Sequence, residues 1–301
     1  MFFFGSLFCG GNYSLDSSPT KANAETSVTV NNCEADELLV TGEILTYNPA
    51  DTSIPQGWDY YTVMHALFDG TLLAGNIDFY VENVDFFRIK RRKYGDINWL
   101  NLHEFIITDP SNLNIDYIDM SPRSATRYSY SVVPVIGGNE GSLYSNDITT
   151  DFKGLSVCDK SRVYNAYLDI DLSQNRNRPS SVIPVVNRRY PFVISNGASN
   201  YDSGNVSALF APFDAETCTW DFSSGHQFRD GLKDFFFDGN PNIIKYEDGR
   251  MWLAAVSSAQ VTDSEDGHPF KVHTSFEFTE IGNCDSEEDL RSNGIIGDEV
   301  I

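Results

Sequence analysis

No two cysteines stand at C-x-x-C spacing in this chain. The five that occur, Cys9, Cys33, Cys158, Cys218 and Cys284, are odd in number and far apart. Neither a zinc ribbon nor a dithiol redox motif can be built from them, and free thiols in a reducing cytoplasm are expected. Histidine is scarce as well: His65, His103, His226, His268 and His273 show no H-E-x-x-H or facial-triad spacing, so no metal site is read. G-x-S-x-G, Walker A and dinucleotide fingerprints are absent, and no cofactor is expected. No apolar run approaches the roughly 18–20 residues of a membrane span. The opening MFFFGSLFCGG has no positive n-region and only a short apolar run, so it is not read as an export signal. Positive charge is also in deficit, with 21 Lys and Arg against 43 Asp and Glu and a formal net charge of −22. A surface that negative repels phosphate backbones and anionic lipid, which argues against nucleic-acid and membrane partners.

What is present is material for cores. Of 301 residues, 41% are hydrophobic and 13% aromatic, enough for two domains of ordinary size. Residues 1–36 are rich in Ser, Asn, Thr and Gly with an apolar tip, and read as an N-terminal arm that orders on a neighbouring surface. From residue 37 short strands follow, carrying β-branched and aromatic residues between Gly, Asn, Asp and Pro punctuation. Phe86 to Lys93 (FFRIKRRK) alternates strictly, with Phe87, Ile89 and Arg91 on one face and Phe86, Arg88, Lys90 and Arg92 on the other. Strands every dozen or so residues, with hairpin turns and no helix, predict an antiparallel sandwich over 37–152.

The second half, 153–285, adds one helix. Phe228, Leu232, Phe235 and Phe236 fall at i, i+4, i+7 and i+8, which predicts a helix over 226–237 with one apolar face. Ser223 or Ser224 is placed to cap it, and Asp238-Gly239 to stop it. Asp248-Gly249 between two apolar runs predicts a type I′ hairpin. Val272 to Ile281 alternates and is expected to be a strand. Residues 286–301 are acidic, lack a core pattern apart from Ile295-Ile296, and read as a solvated tail or a second arm.

Arg88 to Asn98 followed by Thr126-Arg127-Tyr128-Ser129-Tyr130-Ser131-Val132 resembles the C and F strands of a fibronectin type III module, with Tyr128 at the position of its corner tyrosine. Gly57-Trp58-Asp59, Phe68 to Ile77 and the Arg88–Arg92 strand together resemble a fibronectin-like module of tail and baseplate proteins from phages of Gram-positive bacteria. Tyr190-Pro191-Phe192-Val193, Asn200 to Gly204, the helix, Asp238 to Pro241, Asp248 to Leu253 and Phe276 to Gly282 also resemble such proteins in their order. A sandwich with a single flanking helix is similar to the ring domain of tail tube and distal tail proteins. The resemblance spans roughly residues 55–285 and implies a mainly β chain of two sandwich domains.

It further implies a non-enzymatic virion component of a tail, baseplate or tail adaptor. Such a protein acts as repeated copies in a symmetric ring, touching itself and other tail proteins. Expected contacts are the arm residues Phe2, Phe3, Phe4 and Phe8 and the basic residues Arg91, Arg92, Arg188 and Arg189, since cations are rare in so acidic a chain. The alternative is a carbohydrate-binding or adhesin module of a phage receptor-binding apparatus, which would take a host-surface glycan. Asp169 and Asp171 are a possible carboxylate pair, but chance produces such pairs among 43 acidic residues.

Overall fold

In the computed structural model the structure describes residues 26–30, 37–41, 60–67, 85–106, 115–141, 145–195, 199–214, 217–256 and 260–297. The chain is mainly β, and every strand pairing among these residues is antiparallel. It divides into two compact units: residues 1–122, 126–150 and 296–301, and residues 123–125 and 151–295.

The first unit contains β1 (Thr26–Val30), β2 (Glu37–Thr41), β3 (Val63–Leu67), β4 (Phe86–Lys93), β5 (Leu100–Ile106), β6 (Ile115–Asp119), β7 (Thr126–Ile136), β8 (Asn139–Glu140) and β9 (Asn146–Thr150). β7 is central to a five-stranded sheet, with β4 along one side and β8 and β9 along the other. β4 passes the sheet on to β5, while β1 pairs β6 and β2 pairs β3. The alternation read in β4 holds for Phe87, Ile89 and Arg91, which are buried, but breaks at Lys90, which is buried as well, beside a register shift against β5 between Ile89 and Lys90. Gly137 and Gly138 both take positive φ and close the two-residue turn from β7 to β8.

The second unit contains β10 (Leu155–Cys158), β11 (Val163–Ala166), β12 (Leu168–Asn177), β13 (Ser180–Ile183), β14 (Phe192–Ser195), β15 (Tyr201–Leu209), β16 (Phe213–Asp214) and β17 (Thr219–Trp220). Helix α1 (Gly225–Phe237) is next, then β18 (Asn242–Tyr246), β19 (Met251–Val256), β20 (Thr262–Glu265), β21 (Val272–Gly282) and helix α2 (Glu287–Ser292). An eight-stranded sheet runs β11-β10-β18-β19-β21-β15-β12, with β20 also paired to β21. α1 covers one face of it. Leu232, Phe235 and Phe236 pack with Val157, Ile244, Trp252, Val206, Phe276 and Phe278, and Phe228 is partly buried against the same cluster. The helix can bury these rings because their spacing keeps them on one stripe.

Close approach accounts for one glycine. Gly204 on β15 faces Phe278 across the ladder, and a Cβ there would lie 2.7 Å from the Phe278 ring and 2.1 Å from the Ser173 carbonyl. The second sheet face is buried as well: Cys158, Ile243 and Leu253 form one row across β10, β18 and β19. The chain after β21 lies beside that row, since a Cβ on Gly282 would meet both Leu253 and Asp289.

Three local expectations are corrected. Ser224 is the N-cap residue of α1, yet it makes no capping bond to the helix, because its hydroxyl donates to Asp221 instead. The β18–β19 turn is not type I′. Asp248 keeps negative φ while Gly249 sits at +92°, and the Gly249 N–H donates to the Tyr246 carbonyl at 3.0 Å. That is a three-residue loop closed by a glycine bulge. Finally, the acidic stretch read as a solvated tail folds in part. Ser286 accepts from the Asp289 N–H, Glu287, Glu288 and Asp289 occupy the favourable first turn of α2, and Leu290, Ile295 and Ile296 are buried. Residues 298–301 of that stretch lie outside the described residues.

Candidate interaction surface

The expected contact residues fall into three groups. Phe2, Phe3, Phe4 and Phe8 lie outside the described residues, as do Cys9 and Cys33. Arg91 and Arg92 belong to β4. Arg188 and Arg189 belong to the loop between β13 and β14.

Arg91 is only 3% exposed and points into the first unit. Its Nη1 donates to Asp119 at 2.6 Å and to the Ser121 hydroxyl at 3.0 Å, and its guanidinium lies 4.9 Å from the Tyr128 ring centroid. Asp119, itself buried, also accepts from the Ser121 N–H at 2.8 Å and from the Tyr130 hydroxyl at 2.7 Å. Burial opposes ionisation of Asp119, but Arg91, Tyr130 and Ser121 more than offset it and hold the carboxyl below its usual range. Arg91 is therefore a core residue paired inside its own unit, not a surface contact. Sequence alternation placed it on the inner face, but nothing local revealed its partner.

The rest of the basic strand is also engaged. Arg88 pairs with Glu104 and Glu140, and Lys90 reaches Glu140 at 2.7 Å. Glu140 is held below its ordinary value, because these cations outweigh the penalty of burial. Arg92 stacks its guanidinium over Trp99 at 4.4 Å and donates to the Asp96 carbonyl. A run that reads as a cationic patch is thus largely neutralised by its neighbours.

The region around Arg188 and Arg189 is different. β13 and β14 form a separate two-stranded sheet in the register Ser181↔Ile194, Val182↔Val193 and Ile183↔Phe192. Register places Val182 and Val193 on one face, with Ile183, Phe192 and Ile194 on the other. Every residue of both strands is exposed, with Val182 at 61%, Val193 at 65% and Ile194 at 54%. At the tip, Pro184 and Pro191 bracket a loop where Asn187 takes positive φ, Val186 is 87% exposed and Tyr190 is 72% exposed. Arg188 and Arg189 spread over Phe192 and Tyr190, at 4.8 and 5.6 Å from the ring centroids. A two-stranded hairpin has little stability of its own in water. Each such aliphatic or aromatic side chain, once fully buried, contributes about 1.5–3 kcal/mol relative to exposure. A hairpin bare on both faces has the composition of an interface core.

The hairpin directly follows β12, a ten-residue strand at the end of the large sheet that pairs only with β15 among the described residues. Asp169 and Asp171 lie on this strand, at an irregularity in its pairing, and both are exposed. Asp169 takes positive φ and meets Lys271 at 3.5 Å and His273 at 3.3 Å, an ordinary surface cluster. Among the described residues no group of three His, Cys, Asp or Glu is placed to hold a metal, and no helix is long and apolar enough to cross a membrane. Cys158, Cys218 and Cys284 are not joined in disulfides, and burial pushes the Cys284 thiol up to about 12.

A smaller aromatic cluster lies beside β16 and β17. The Phe213 and Trp220 ring centroids are 4.7 Å apart, Trp220 and Phe222 are nearly parallel at 6.0 Å, and Tyr167 packs on both Phe213 and Trp220. Phe222 is exposed and the other three are half-buried. No known protein-family model matches the chain, and no curated protein matches it.

Proposed function

We propose that the chain is a structural protein of a phage tail, baseplate or tail adaptor, working as repeated copies in a symmetric assembly through protein–protein contacts. The observation that carries this reading is the bare hairpin β13–β14 set directly after an edge strand of ten residues. Exposed strand edges and apolar hairpins are hazards in a monomer and are useful where a partner covers them. The tail setting rests on the ordered motifs, and the elements they occupy support it. β4 and β7 pair antiparallel along their length, as C and F strands of a fibronectin type III module do, and helix α1 covers one face of the second unit's sheet.

A second reading, a glycan-binding module of a receptor-binding apparatus, is favoured by one observation. Trp220 and Phe222 present nearly parallel rings at the surface of the second unit. A glycan array separates it from the structural reading.

Mass spectrometry of purified phage particles tests the assignment. The chain is expected among the tail proteins in several copies per particle, at a fixed ratio to the other components. Particles that infect normally but lack the polypeptide would overturn it.

A further inference from the structure

We infer that the hairpin β13–β14 of one copy inserts against an acidic surface of a second copy, in a head-to-tail contact and not hairpin against hairpin. This rests on the assembly reading and adds to it a donor element and a symmetry.

Charge selects the partner. Residues 172–201 contain Arg176, Arg178, Arg188 and Arg189 and no acidic residue, so the segment carries +4. Taking that from −22 leaves −26 on the rest of the chain. Arg176 is held by Asp202 at the hairpin's base, which leaves Arg178 at the start of the hairpin and Arg188 and Arg189 at its tip. Two hairpins meeting face to face would bring these cations together, and like charges at an interface are strongly disfavoured. The acidic remainder of another copy offers the opposite field. Hairpin as donor and acidic surface as acceptor make different patches on the two partners, which is a heterologous contact, and such contacts close into rings or run on as fibres.

Register selects the mode. Because Val182 and Val193 are bare on one face and Ile183, Phe192 and Ile194 on the other, covering one face would leave the second in water. The hairpin is therefore clasped on both faces, and is not laid flat on its neighbour.

Two variants test this. One is the tagged chain with 179–195 replaced by a Gly-Ser bridge. The other is the full-length charge reversal Arg178→Glu/Arg188→Glu/Arg189→Glu, whose replaced side chains lie outside the helix–sheet core. Circular dichroism is expected to match the unaltered chain in both, and the charge reversal carries the test if the deletion does not fold. Light scattering should show multimers of the unaltered chain and monomers of each variant, with self-association weakened at least about tenfold at low salt. The tagged hairpin-less chain should nonetheless retain untagged, unaltered chain from a mixture, because its acceptor surface is intact. Multimers formed by both variants as readily as by the unaltered chain would overturn the inference and leave the assembly reading standing. A hairpin-less monomer that retains no unaltered chain would overturn the head-to-tail contact. An unaltered chain that is monomeric throughout would remove the assembly reading and this inference together.

Discussion

Replacing Asp119 with alanine is expected to destabilise the first unit by about 3–5 kcal/mol, because it leaves the buried Arg91 guanidinium without its counter-charge. Three further donors lose their acceptor in the same change: the Tyr130 hydroxyl and the Ser121 N–H and hydroxyl. Chemical denaturation followed by hydrogen exchange reads the effect in residues 85–141. The second unit should hold its stability, since no partner of Asp119 belongs to it. Removing both charges as Arg91→Met/Asp119→Leu should recover part of the loss, because no uncompensated ion is left, while the Tyr130 and Ser121 donors still lack their acceptor. A loss under about 1 kcal/mol in the single variant would mean that water reaches the pair.

The same cluster sets a pH dependence. The folded-state pKa of Asp119 is depressed, so its contribution is present above the unfolded value of about 4 and is lost as pH falls through the lower folded value. Tyr130 has the opposite sign. Burial and the neighbouring Asp119 charge push its hydroxyl up, so above about pH 10 the unfolded state releases a proton that the folded state keeps. Stability of the first unit should therefore fall at both extremes.

In the second unit, Phe236→Ala should cost about 3–5 kcal/mol, while Phe237→Ala should change stability by no more than about 0.5 kcal/mol. Phe236 is 2% exposed and its ring lies 4.6 Å from that of Phe276 on the sheet, whereas the next residue in the chain is 58% exposed. The contrast between adjacent phenylalanines reads the orientation of the helix directly. Equal losses at the two positions would mean that α1 buries a different face.

That orientation was legible from the chain alone. The spacing of Phe228, Leu232, Phe235 and Phe236 fits only one helical face, and the alternation of β4 placed Arg91 among Phe87 and Ile89. The assignment of Arg91 to a surface role failed because Asp119 lies far along the chain, and only folding brings the two together. Helix α2 carries a legible Ser286-x-x-Asp289 cap, but six residues with one buried leucine offer no periodicity to read. The turn after Tyr246 was legible as a turn, yet its type depends on a third residue, Glu247, joining the loop. The hairpin was hidden for a different reason. Val182, Ile183, Phe192, Val193 and Ile194 look like core strands, and nothing local distinguishes apolar residues covered by their own fold from those left for a partner.

The most direct test of the central claim is the molar mass of the intact purified chain in solution as its concentration is raised. Repeated-copy assembly predicts species at whole multiples of 33.7 kDa that dissociate as salt is added. A single 33.7 kDa species at every concentration and ionic strength would contradict it.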